Sequence, residues 1–197
     1  MCATVKLERI FAPAAAALLL LMGAVMLASA GGETDTWDEA GHLVAGYSYL
    51  RTGDFRLNPE HPPFGQMLKA LPLLFLDLDF PVDVAAWERG DIRDLGRAFL
   101  YRNRARAEVI LALARGVNML LTLALGACLA AWTRKHFGAL AALAALALYA
   151  FDPNIIAHGR YVTTDMTVTA FFVLACLAWH DFLIAGRRWL LALAGLL

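Results

Sequence analysis

Neither sign of charge dominates this chain of 197 residues: 17 Lys and Arg balance 17 Asp and Glu. A nucleic-acid binder needs a basic excess to neutralise phosphates, so that class is excluded. Cysteine is scarce too. Cys2, Cys128 and Cys176 are an odd set and two of them lie in apolar runs, which rules out a disulfide framework. Seven prolines and fifteen glycines are too few for a collagen-like or disordered chain. What the sequence has in abundance is apolar residues, 60%, against about 45–50% in soluble proteins. The surplus points to a membrane protein.

Charge is also missing from long stretches. Thirteen of the acids and nine of the bases lie between Glu33 and Glu108, a segment net negative by four. The apolar run Ile10 to Ala30 follows Lys6 and Arg9. Its Ala28-Ser29-Ala30 end resembles a cleavage site, but a core of about 20 residues exceeds the 7–15 of a signal peptide and predicts a retained span. Further spans are expected at Val109 to Trp132, closed by Arg134, Lys135 and His136; at Phe137 to Ala157, broken by Asp152-Pro153-Asn154; and at about Val162 to Ile184, followed by Arg187 and Arg188. With Lys6 and Arg9 in the cytoplasm, alternation puts every one of these basic clusters there. The Glu33 to Glu108 loop and the Asp152 to Asp165 turn then share the external face. The last run, Trp189 to Leu197, is too short to span, which suggests the N-terminal part of something longer.

The predicted fold is therefore an all-α, polytopic transmembrane helical bundle with a large external loop carrying interfacial amphipathic helices. Residues 1–31 form the cytoplasmic N-terminus and first span, 32–107 the loop, and 108–197 further spans. Within the loop, Ala40, Leu43, Val44, Tyr47 and Leu50 are spaced as on one face of an amphipathic helix lying on the membrane. Thr36 and Glu39 form a capping box at its start, and Asp38 suits the helix dipole. Prolines bracket Glu60 and His61 in Asn58-Pro59-Glu60-His61-Pro62-Pro63, so this polar pair sits on a rigid turn. Phe64 to Leu78, interrupted by Lys69, Pro72 and Asp77, predicts a second interfacial element. Ile92, Leu95 and Phe99 on one face of an Arg-rich segment predict a third, with a charged solvated surface.

Asp165, at the mouth of a span, is a functional candidate because a carboxylate is expensive to place in lipid, although an N-cap role would also explain it. Arg115 lies about two turns inside the second span, where it could snorkel or meet a lipid phosphate. Asn118, one turn deeper, could bond a neighbouring helix. Taken alone, these residues also fit a non-catalytic membrane partner, a lipid-binding or assembly protein whose acids are caps.

Three motifs bear on these readings. Thr-Trp-Asp-Glu-Ala-Gly-His at 36–42, Glu-His-Pro-Pro at 60–63 and Ala-His-Gly-Arg-Tyr-Val-Thr-Thr-Asp-Met at 157–166 together resemble the N-terminal part of polyprenyl-phosphate-sugar-dependent glycosyltransferases of the GT-C type. These include protein O-mannosyltransferases and the transferases that add aminoarabinose to lipid A. His61 departs from the lysine often found there in the lipid A branch. The resemblance implies an inverting hexosyl- or pentosyltransferase of the bacterial inner membrane, working on its external, periplasmic face. Its donor would be a polyprenyl-phosphate-linked sugar amid membrane lipid, and its acceptor a protein or glycolipid. By resemblance Asp38 is the general base, with Glu39 and Asp165 also catalytic. Arg115, Arg160 and His61 would bind the donor phosphate. Glu60 could take a divalent metal, since carboxylates are suitable ligands.

Overall fold

The computed structural model describes residues 2–197, with side chains from Glu8 onward. The side chains of Cys2 and of Lys6, one anchor of the sidedness reading, lie outside the described residues. Helices occur throughout and no strand is present among the described residues: α1 (Cys2–Ala30), α2 (Glu39–Thr52), α3 (Pro63–Ala70), α4 (Val84–Arg89), α5 (Ile92–Tyr101), α6 (Ala107–Phe151), α7 (Pro153–Arg160), α8 (Asp165–Ala185) and α9 (Arg188–Leu196). A 3-10 turn, Leu71–Phe75, continues α3. Three of the helices, over Glu8–Ala30, Ala107–Phe151 and Asp165–Ala185, are long and apolar enough to cross a membrane. The chain is an all-α helical membrane protein.

Two compact units divide it. The first comprises the segment ending at Ala28 with Leu120–Gly159 and Met166–Leu197. Here α6 is two helices that fold back on each other. Gly138 has φ 85° and ψ 172°, a left-handed conformation available to glycine at little steric cost. On either side of it, Tyr149 donates its hydroxyl to the Thr122 carbonyl at 2.8 Å, and Gly126 lies against the Tyr149 ring. The second and third expected spans are thus the arms of one hairpin, turning at Gly138. The arm after the turn ends at Phe151. At about 1.5 Å per residue it is short of a bilayer core, and Asp152 starts α7 by accepting from the backbone of Asn154 and Ile155. Glu8 binds Arg134 at 2.8 Å and Gly23 faces Leu123 farther along, so α1 runs antiparallel to the first arm.

The second unit, Ser29–Met119 with Arg160–Asp165, corrects one expectation. Helix α2 does not present a single apolar face: Glu39, Ala40 and every residue from His42 to Tyr49 are buried. The reason lies in its small residues. A Cβ on Gly46 would stand 2.2 Å from the Gln66 carbonyl oxygen in α3, and one on Gly96 of α5 would stand 2.8 Å from the Ala40 carbonyl oxygen. Backbones therefore touch on two sides of α2, and the helix becomes the unit's core. The expected face of α5 is found, with Leu95 and Phe99 fully buried and Phe99 against Tyr47 at 5.0 Å between ring centroids.

Gly46 gives the first test. Gly46→Ala must push α3 away from α2, because the contact is backbone and cannot rotate aside. Overpacking of this kind costs about 1–3 kcal/mol or more, so a lower thermal midpoint in detergent is expected, with weaker sugar transfer. An unchanged midpoint would contradict the packing.

Candidate active site

The residue pair that opens α2 divides into two roles. Glu39 is fully buried and binds Arg115 through both oxygens, at 2.9 Å to Nε and 2.7 Å to Nη2. It also accepts from the Thr36 backbone N–H at 2.8 Å and the Val162 N–H at 2.9 Å. The first of these is one half of the expected capping box. Burial raises the Glu39 carboxyl, but the bonds from Arg115, Thr36 and Val162 outweigh it and hold the pKa below its ordinary value. Arg115 completes its set with the carbonyls of Ala30, Glu33 and Thr34. A guanidinium has five N–H donors, and all five of these have partners within the protein. The neighbouring Asp38 makes no cap hydrogen bond. Its carboxylate is exposed and lines a cavity of about 890 Å³.

One turn on, His42 is buried against the same cavity. Burial first, and then the charge of His61, drive its pKa down to about 4, so the ring is neutral near pH 7. The Gln66 amide lies 3.0 Å from Nδ1 and the Asn58 amide 3.5 Å. The His42 and His61 rings meet edge to face, 5.0 Å between centroids. His61 in turn brings Nδ1 to 3.4 Å from the Thr164 hydroxyl. The three motifs, more than a hundred residues apart in the chain, converge here.

A buried cation belongs to the same group. Lys69 is 1% exposed and donates to the Gly65 carbonyl. Burial lowers its pKa to about 8, opposed by attraction to Asp165. Asp38 and Asp165 both act electrostatically on His42, and Asp165 itself is exposed, the first residue of α8. Arg160 pairs with Glu33, donates to the Ser29 carbonyl at 2.8 Å and stacks on Tyr161. Its Nε is buried without a hydrogen-bond partner. Glu60 and His61 both line the cavity. They offer a metal two ligands, and among the described residues no group of three ligating side chains includes Glu60.

Asp38, Glu60 and His61 are thus brought to one cavity, with Asp165 acting electrostatically on His42, while Glu39 and Arg115 are committed to each other. Reading the chain alone did not single out His42 and Lys69. The first stands four residues after Asp38, one helical turn away, and the second is a lone cation inside an apolar stretch; both signals are present but weak. The charged surface expected of α5 contributes Arg93 and Arg97 to the cavity wall.

Residues 109–197 match the family described as dolichyl-phosphate-mannose-protein mannosyltransferase. The match contains Arg115, Arg160 and Asp165, whereas Asp38, Glu39, Glu60 and His61 precede it. It supports a membrane glycosyltransferase of the GT-C type, a class that uses lipid-linked sugar donors. Comparison with curated proteins and with solved structures finds no match for the chain.

Proposed function

We propose that this protein transfers a hexose or pentose from a polyprenyl phosphate to a protein or glycolipid acceptor, with inversion, on the external face of a bacterial inner membrane. The observation that carries the reading is that the first two motifs share one cavity and the third meets it through Thr164 against His61, with Asp38 on the cavity wall and free of helix-capping duty. The acceptor hydroxyl or amine attacks the anomeric carbon and gives its proton to the Asp38 carboxylate. The bond from that carbon to the phosphate oxygen breaks, and its electron pair leaves with the polyprenyl phosphate. A phosphate is already a good leaving group, so what the reaction needs on that side is positive charge. Arg160 and His61 are assigned to it, joined by Lys69. Asp165 balances Lys69 and orients the donor. Glu39 and Arg115 act at one remove, tying the start of α2 to α6 and to Val162 so that Asp38 keeps its place. The external assignment rests on Arg9, Arg134, Lys135, Arg187 and Arg188 lying on the other side under the positive-inside rule.

Two experiments follow. Membranes carrying the full reading frame should transfer labelled sugar from a polyprenyl-phosphate donor but not from a nucleotide sugar. Transfer from the nucleotide sugar alone would sink the donor assignment. The second concerns pH. Burial disfavours the Lys69 ammonium, so the charged form is present below its lowered pKa of about 8 and is lost above it. Donor kcat/KM is therefore expected to fall as pH rises through about 8. Lys69→Gln should lower kcat/KM at neutral pH and flatten that limb. A profile equally steep in the variant would remove Lys69 from donor binding.

A further inference from the structure

Within the first unit, at the end where Glu8 meets Arg134, three potential ligand atoms converge that no step of the transfer uses. His136, two residues before the Gly138 turn, places Nε2 at 2.7 Å from Oδ1 of Asp181 in α8. His180 places Nδ1 at 3.6 Å from the same oxygen. All three atoms lie within 4.8 Å of one another. The imidazole rings stand at 89° with centroids 5.2 Å apart, and Trp132 packs on both.

His180 is the telling member. Its Nδ1 is shielded from solvent and makes no hydrogen bond among the described residues, although buried ring nitrogens are normally satisfied. The atom faces a carboxylate oxygen yet stands too far from it to share a proton. A cation between them would satisfy it. We propose that His136, His180 and Asp181 bind a divalent first-row transition metal ion, with zinc the best fit. Two imidazoles and a carboxylate are the donor set such ions favour over magnesium or calcium. Around a tetrahedral ion with bonds of about 2.0–2.2 Å, ligand atoms stand roughly 3.3–3.6 Å apart. Side-chain shifts on the order of 1 Å bring these three to that spacing, and water completes the fourth position.

The surroundings support the ligands. Trp132 donates Nε1–H to Asp181 Oδ1 at 3.0 Å, holding the carboxylate toward the histidines as hydrogen bonds beyond the ligands do in metal sites. Lys135 binds the other oxygen at 2.5 Å and is 61% exposed. It is free to swing into solvent as the ion arrives, because nothing buries it. An ion here would pin the hairpin turn of α6 to the end of α8. Lys135, Arg187 and Arg188 put this end on the cytoplasmic side by the positive-inside rule.

The test is titration of the purified full-length protein in detergent with Co²⁺, whose visible absorption reports coordination, followed by competition with Zn²⁺. One Co²⁺ per chain at this site is expected, displaced by Zn²⁺. His136→Ala and His180→Ala should each weaken binding at least tenfold, Lys135→Gln should tighten it severalfold, and Glu60→Gln should leave it unchanged. Because His180 is 43% exposed, its replacement is the variant that keeps the fold intact, as circular dichroism would verify. No Co²⁺ binding by the wild type, or equal binding by wild type and both histidine variants, would overturn the proposal.

Discussion

Arg115→Ala is expected to leave little folded protein in detergent, with a loss of about 3–5 kcal/mol. That is the range for removing one partner of a buried ion pair, since the other charge remains buried and uncompensated. The pair is well shielded: Arg115 is 4% exposed and Glu39 not at all. Losing the guanidinium also strips partners from the carbonyls of Ala30, Glu33 and Thr34. Lysine cannot replace it, because an ammonium lacks the planar fork that meets both Glu39 oxygens. Glu39→Gln should also be costly, since it leaves the guanidinium buried without its counter-charge and sets an amide NH2 among the N–H donors of Arg115, Thr36 and Val162. Protein yield and thermal midpoints of the three forms measure this. A wild-type midpoint in Arg115→Ala would mean that the pair is not what anchors α2.

Where local chemistry alone decides structure, the chain could be read. The apolar runs gave the spans because nothing else accounts for them, and Ile92, Leu95 and Phe99 gave the buried face of α5 because a charged helix has one apolar side to bury. Helix α2 defeated the same reasoning. Its apolar spacing was real, but Gly46 lets the α3 backbone, and Gly96 of α5 lets the α5 backbone, approach its other faces, and a periodicity count treats small residues as neutral. The break between the second and third runs was legible, because Arg134, Lys135 and His136 mark it, and the turn falls just beyond them at Gly138.

The site was legible in part and for a different reason. The three motifs could be named from their resemblance to a family, yet nothing in their spacing says that His42, His61 and Thr164 meet. Asp38 and Glu39 are adjacent carboxylates that a sequence cannot separate. In the fold, helical geometry turns one into the protein beside Arg115 and the other toward the cavity. Arg115 seemed fit for a phosphate until its five donors were all found to have partners. Lys69 gained meaning only through burial, which a sequence does not display.

That division makes Asp38→Asn the most severe test of function. Asparagine keeps the size and polarity of the side chain but cannot take the acceptor's proton, and a positioned general base contributes about 10²–10⁴-fold to rate. Asp38 caps nothing and is exposed, so the fold does not depend on its charge. Sugar transfer should thus fall by that factor with midpoint and membrane insertion unchanged, whereas Arg115→Ala lowers both stability and transfer. The decisive measurement is the initial rate of labelled-sugar transfer from a polyprenyl-phosphate donor by membranes holding equal amounts of wild-type and Asp38→Asn protein. The expected result is robust transfer by the first and at least a hundredfold less by the second. Equal rates would contradict the assignment of Asp38 as the base.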